Sequence, residues 1–151
     1  MKNNKLEQDL VNMFIDIMKR KAKQDGKAIS FTQLETGSTA IGVPDLIMFY
    51  DNQMYWIEAK RTKIREKSIS SVGTVEFADT IKFRPGQVRF LKKLLANGEK
   101  PFVLVLSESC DCCVVPVSDL PLNCESVYTV HHKGVAYPQT YEYIKGVIIS
   151  K

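Results

Sequence analysis

The sequence predicts a small α/β fold, a mixed central sheet flanked by helices. Three observations carry that reading. An apolar stripe at helical spacing opens the chain, two apolar runs joined by a short polar turn follow it, and a second helical stretch precedes a further apolar strand. With 151 residues and 17.1 kDa the chain suits one domain over 1–151, its core over about 5–117 and a C-terminal extension of undefined structure over 118–151. Hydrophobic residues at 44% and charged residues at 25% exclude a disordered, collagen-like or coiled-coil chain.

Leu6, Leu10, Met13, Phe14, Ile17 and Met18 recur at helical spacing, so residues 4–24 read as an amphipathic helix stopped by Asp25-Gly26. At about 100° per residue, Glu7 falls between Phe14 and Met18 on that stripe. One helix acid therefore points toward the core. A short strand is expected over 27–31 and a loop over Thr36-Gly37-Ser38-Thr39. Asp45 to Tyr50 and Met54 to Lys60 read as a hairpin turning at Asp51-Asn52-Gln53. Residues 61–81 read as a long basic loop. A helix follows from Pro85 to about Ala96, stopped by Asn97-Gly98. Strands over 101–106 and 113–117 complete the core. The tail from Tyr128 is rich in aromatic and β-branched residues without a clear register, and its Val147, Ile148 and Ile149 either meet a second copy or cover the sheet.

Net charge is +4, but residues 60–93 carry ten basic and three acidic groups, and the preceding 26–59 carry one and four. A cationic block beside an acidic one suits a polyanion held next to carboxylates, or else a solvated surface. Cys110, Cys112, Cys113 and Cys124 are too clustered to staple distant segments and are expected as thiols. Even with His131 and His132 they lack the paired spacing of a zinc site. No apolar run is long enough to span a membrane, and the first residues do not resemble a secretory signal. A cytoplasmic location, in a bacterial or phage-infected cell, is expected.

The chemistry concentrates between Gly42 and Lys60. Side chains alternate along a strand, so Glu58 and Lys60 share one face with Trp56, which is expected under the first helix. Asp45 begins the preceding strand, opposite the end of the returning one, so Asp45 and Glu58 can converge. Two carboxylates that close need a proton or a cation between them. Mg²⁺ suits such a pair, because it takes one or two carboxylates and keeps waters. Asp45, Glu58 and the Ala59 carbonyl are the expected ligands, and Lys60 is placed to orient a water or stabilise a phosphorane. A surface ion pair of Glu58 and Lys60 is the plain alternative.

Pro44-Asp45 followed by Glu58-Ala59-Lys60 resembles the PD-(D/E)xK nuclease superfamily, and the element order resembles its restriction-endonuclease-like α-β-β-β-α-β core. Gly42-Val43-Pro44-Asp45-Leu46-Ile47 and Arg84-Pro85-Gly86-Gln87-Val88 are similar to Holliday junction resolvases and to the small VRR-type nucleases. The resemblance spans about residues 5–106. It implies a Mg²⁺-dependent endodeoxyribonuclease, with Mn²⁺ able to substitute, that leaves 5′-phosphates. It adds Glu7 to the metal centre and Gln87 to the catalytic group, and it makes Ser38 a phosphate donor. Arg61, Lys63, Arg65, Lys67, Lys82 and Arg84 are the expected DNA contacts, supplying affinity largely independent of sequence. The implied partner is branched or structured DNA bound by a homodimer. The alternatives are a VRR-type nuclease of flaps, nicks or general duplex, and a binding module that does not cleave.

Overall fold

A computed structural model of the chain describes residues 2–34, 42–62, 74–121 and 127–149. Helix α1 (Lys2–Gln24) is followed by strands β1 (Ile29–Gln33), β2 (Leu46–Tyr50), β3 (Gln53–Thr62) and β4 (Thr74–Lys82). Helix α2 (Gln87–Ala96) leads to β5 (Pro101–Ser107), β6 (Asp111–Pro116) and β7 (Val127–Ala136), and a short helix α3 (Thr140–Ile144) continued by a π-helical turn (Lys145–Ile149) closes the described chain. The expected α/β fold is present: one seven-stranded mixed sheet, ordered β1-β2-β3-β5-β6-β7-β4, with helices on both faces. The expected α-β-β-β-α-β order is α1-β1-β2-β3-α2-β5, with β4 inserted before α2.

The β2–β3 hairpin forms as expected. Asp51 and Asn52 turn it with positive φ angles of 48° and 67°, as a two-residue hairpin turn requires. β3 then pairs in parallel with β5, which is buried along its whole length, as a central parallel strand should be.

Two boundaries differ from expectation. Residues 74–82 are a strand rather than part of a loop. Val75, Phe77 and Ile81 are buried while Glu76, Thr80 and Lys82 are exposed, a period of two that the inward-phase Asp79 obscures in sequence. Helix α2 starts at Gln87 instead of Pro85, because Gly86 takes a left-handed φ of 88° that no helix interior allows.

The two faces of the sheet bury separate clusters. On one, Phe14 and Met18 of α1 pack on Met48, Ile57 and Leu104. On the other, Val88 and Leu91 of α2 pack on Val103 and Val105, and β4 and β7 extend this cluster with Phe77, Ile81 and Val130. Along α1 the buried arc includes Val11 and Ile15, whereas Met13 is 40% exposed. The stripe is thus rotated from its expected position because α1 also packs on α3. Trp56 is corrected too. Its neighbours Tyr55 and Ile57 face α1, so Trp56 lies on the α2 face with Glu58.

The C-terminal segment belongs to this architecture. Tyr141 is buried, with its hydroxyl 2.7 Å from that of Tyr50, and donates to Asp25 at 2.8 Å. Lys145 donates to the same carboxylate at 3.0 Å. Val147, Ile148 and Ile149 pack against the α1-side cluster. Cys112 and Cys113 are buried in opposite clusters as free thiols, so adjacent positions on β6 send them to different faces. Cys124 lies outside the described residues. Among the described residues, no helix is long and apolar enough to cross a membrane.

The join between the sheet and its β4–β7 ribbon leaves no room at Gly134. A Cβ there would lie 2.1 Å from the Cys112 carbonyl oxygen and 2.7 Å from the Cys113 Cβ. Gly134→Ala is predicted to destabilise the protein by about 2 kcal/mol or more, the usual cost of overpacking a rigid site. Urea denaturation checks this, and an unchanged midpoint would show that the ribbon is free to shift.

Candidate metal-dependent active site

The hairpin register builds the site. Leu46 pairs with Ile57, so Asp45 at the mouth of β2 stands opposite Glu58. The approach is held from both strands: Asp45 Oδ2 accepts the backbone N–H of Ala59 at 2.8 Å, and the Asp45 carbonyl accepts the N–H of Leu34 at 2.9 Å. Gly42 lets the preceding loop press on the start of α2. It has a φ of 82°, and a Cβ on it would come within 2.5 Å of the Gly86 carbonyl oxygen. Asp45 and Gln87 are therefore brought to one place by two glycines in direct contact.

Glu58 is 2% exposed and Gln87 1% exposed. Gln87 fastens the group together. Its Nε2 donates to Glu58 Oε2 at 3.1 Å, and its Oε1 accepts both Lys60 Nζ and the Arg84 backbone N–H at 2.8 Å. Lys60 Nζ lies 3.4 Å from Glu58 Oε2 and 4.8 Å from the centre of the buried Phe83 ring. The ammonium is thus fixed by an amide, a carboxylate and an aromatic face. Phe83 was not legible as a site residue, since an apolar residue before Arg84-Pro85 reads as core.

Burial first, and then the charge of the adjacent Asp45, raise the Glu58 carboxyl to about 8. Lys60 opposes the shift without cancelling it. Glu7 is raised as well, first by burial and then by Asp45, against the pull of Lys60, Arg61 and Arg84. Glu7 is half-buried and lines the same cleft of about 510 Å³, together with Asp45, Glu58, Lys60, Arg84 and Gln87. A second cleft of about 400 Å³ adjoins it across Glu7 and Lys60 and is lined by Arg61 and Lys82. There Thr62 donates to Asp79, tying the end of β3 to β4.

The structure therefore gathers Glu7, Asp45, Glu58, Ala59, Lys60 and Gln87, with Arg61, Lys82 and Arg84 at the rim. Ser38, Lys63, Arg65 and Lys67 lie outside the described residues. Thr62 and Asp79 also line the second cleft, which no local pattern announces because Asp79 breaks the apolar alternation of β4.

The donor set fits a hard divalent cation. Among the described residues Glu58 Oε1 is buried with no hydrogen-bond partner, beside a second carboxylate. Among the described residues, no three His, Cys, Asp or Glu side chains close into a cage. An open pair of carboxylates is what Mg²⁺ uses when it keeps waters and leaves room for a phosphate.

No protein-family model and no curated protein matches the chain. Among solved structures it is similar to Hjc, a Holliday junction resolvase from the archaeal hyperthermophile Archaeoglobus fulgidus. The identity is 14% and the TM-score 0.47, covering 79% of this chain and 89% of that one. It is also similar to the bacterial homing endonuclease I-Ssp6803I, at 15% identity and a TM-score of 0.43, covering 85% of this chain and 75% of that one.

The raised Glu58 has a consequence for stability without metal. In the unfolded chain the group ionises near the ordinary glutamate value of 4.5, whereas in the fold it keeps its proton up to about 8. Its contribution therefore favours the fold at acid pH and is lost as pH rises through that window. Glu58→Gln keeps a neutral group of the same shape. In EDTA it is predicted to raise the melting temperature more at pH 8 than at pH 5. Equal increments at the two pH values would contradict the protonated, buried carboxyl.

Proposed function

We propose that this protein is a divalent-metal-dependent endodeoxyribonuclease of the PD-(D/E)xK type, selective for DNA structure, with Holliday junction resolvase-like activity as the leading reading. The observation that carries it is Glu58: a buried carboxylate with one oxygen unengaged, set beside Asp45 and next to a lysine immobilised by Gln87. A plain cross-strand ion pair has no need of a second acid or of a buried amide that holds both members.

In this reading Asp45 and Glu58 hold Mg²⁺ or Mn²⁺, the Ala59 carbonyl adds a ligand, and Glu7 supports the site from α1. When bound, the cation lowers the pKa of a water and neutralises charge on the phosphodiester. Lys60 orients the attacking water and stabilises the phosphorane oxygen. Gln87 keeps Lys60 from collapsing fully onto Glu58, since its carbonyl oxygen accepts the ammonium at 2.8 Å while the ion pair stays at 3.4 Å. Water attacks phosphorus, the bond to the 3′-oxygen breaks, and the products are a 5′-phosphate and a 3′-hydroxyl. Arg61, Lys82 and Arg84 line the two clefts and carry the flanking phosphates. Ser38, Lys63, Arg65 and Lys67 are assigned the same role from sequence. The DNA is bound by a homodimer.

The test is cleavage of labelled four-way junction, flap, nicked and linear duplex with Mg²⁺, Mn²⁺ or EDTA. Metal-dependent, symmetric paired cuts in junctions are predicted. Predominant cutting of flaps or linear duplex would select the VRR-type reading, and binding without cleavage under every metal would leave a binding module. Glu58→Ala is predicted to abolish cleavage while the melting transition is retained. Full activity in that variant would remove Glu58 from the mechanism.

A further inference from the structure

The reaction above uses only part of the lining of the first cleft. Its volume of about 510 Å³ is in the range of a small-ligand pocket. A water occupies roughly 30 Å³, so an ion with a few waters and one phosphate group fill only part of that space. Lys60 and Arg84 line the cleft, and so do Gln8 of α1, Gln33 of β1, Leu34 and the largely buried Val11.

The two glutamines are paired. Gln8 Nε2 donates to Gln33 Oε1 at 2.8 Å and to Asn12 Oδ1 at 3.0 Å. Among described partners this leaves Gln8 Oε1 and Gln33 Nε2 open, an acceptor and a donor side by side. Exchanging oxygen and nitrogen in both amides still leaves one of each. A neutral donor–acceptor pair is a poor match for phosphate. It does match the edge of a nucleobase.

We infer that Gln8 and Gln33 form a nucleobase subsite, so that the cleft takes one unpaired nucleotide beside the scissile phosphate. Its base presents its Watson–Crick edge to the two amides. That edge is free only when the base has no partner, and this defines the substrate class: strands with an unpaired nucleotide at the cut, rather than continuous duplex. The inference rests on the nuclease reading above and deepens it.

The test compares cleavage rates, in Mg²⁺ and in Mn²⁺, on two labelled duplexes of one sequence. One is continuous and the other leaves the nucleotide beside the cut unpaired. Wild-type protein is expected to prefer the unpaired substrate by about tenfold, the scale of one or two hydrogen bonds. In Gln8→Ala/Gln33→Ala this ratio falls toward one. Gln33→Glu, which keeps the acceptor for Gln8 but loses the donor, lowers the ratio as well and guards against a folding defect in the double variant. A wild-type ratio near one, or a ratio unchanged in both variants, overturns the subsite while leaving a nuclease. Cleavage of a four-way junction but of neither duplex also overturns the subsite, and no cleavage of the junction or of either duplex in either metal overturns the nuclease reading itself.

Discussion

Strand register at the β2–β3 hairpin sets Asp45 against Glu58, and much of the surrounding structure either enforces or compensates that proximity. Two carboxylates at neighbouring strand ends repel, and burying one of them removes the water that would screen the repulsion. The backbone still holds them there, through the Ala59 N–H on Asp45 and the Leu34 N–H on the Asp45 carbonyl. Without a cation, the protein's answer is a retained proton on the buried acid. In the function proposed above, a cation takes that proton's place.

The rest of the fold positions partners for that pair. The parallel neighbour β5 is buried throughout, which makes β3 an interior strand and lets it carry Glu58 out of solvent. Helix α2 begins with Gln87 because Gly86 ends the preceding turn in a left-handed conformation, and Gly42 admits the close contact that brings the two loops together. Gln87 then joins acid and base through one amide. Its orientation is restrained three ways, by Glu58, Lys60 and the Arg84 N–H. Such a preorganised group costs little to align when substrate arrives.

How much of this was legible in the sequence differed by element. The hairpin and its acids could be read because apolar alternation and a two-residue polar turn are local signals, and Glu7 because helical spacing placed it inside the apolar arc. β4 was hidden by Asp79, which occupies an inward position for the sake of Thr62. β7 was hidden by its own inward positions, where His132 and Gly134 interrupt Tyr128 and Val130. The Gln8–Gln33 pair joins residues 25 apart across two elements, so no local pattern announces it. Phe83 under Lys60 is of the same kind, because β4 separates the two residues along the chain.

We propose that the Asp45–Glu58 pair holds a proton that a divalent cation displaces. Calorimetric titration of Mn²⁺ into the intact protein, repeated in buffers of different ionisation enthalpy, counts the protons released. With the buried carboxyl near 8, binding at pH 7 should release close to one proton per ion, and the release should fade as the pH is raised well above 8. Binding with no proton release at pH 7, or no binding at all, would contradict the account.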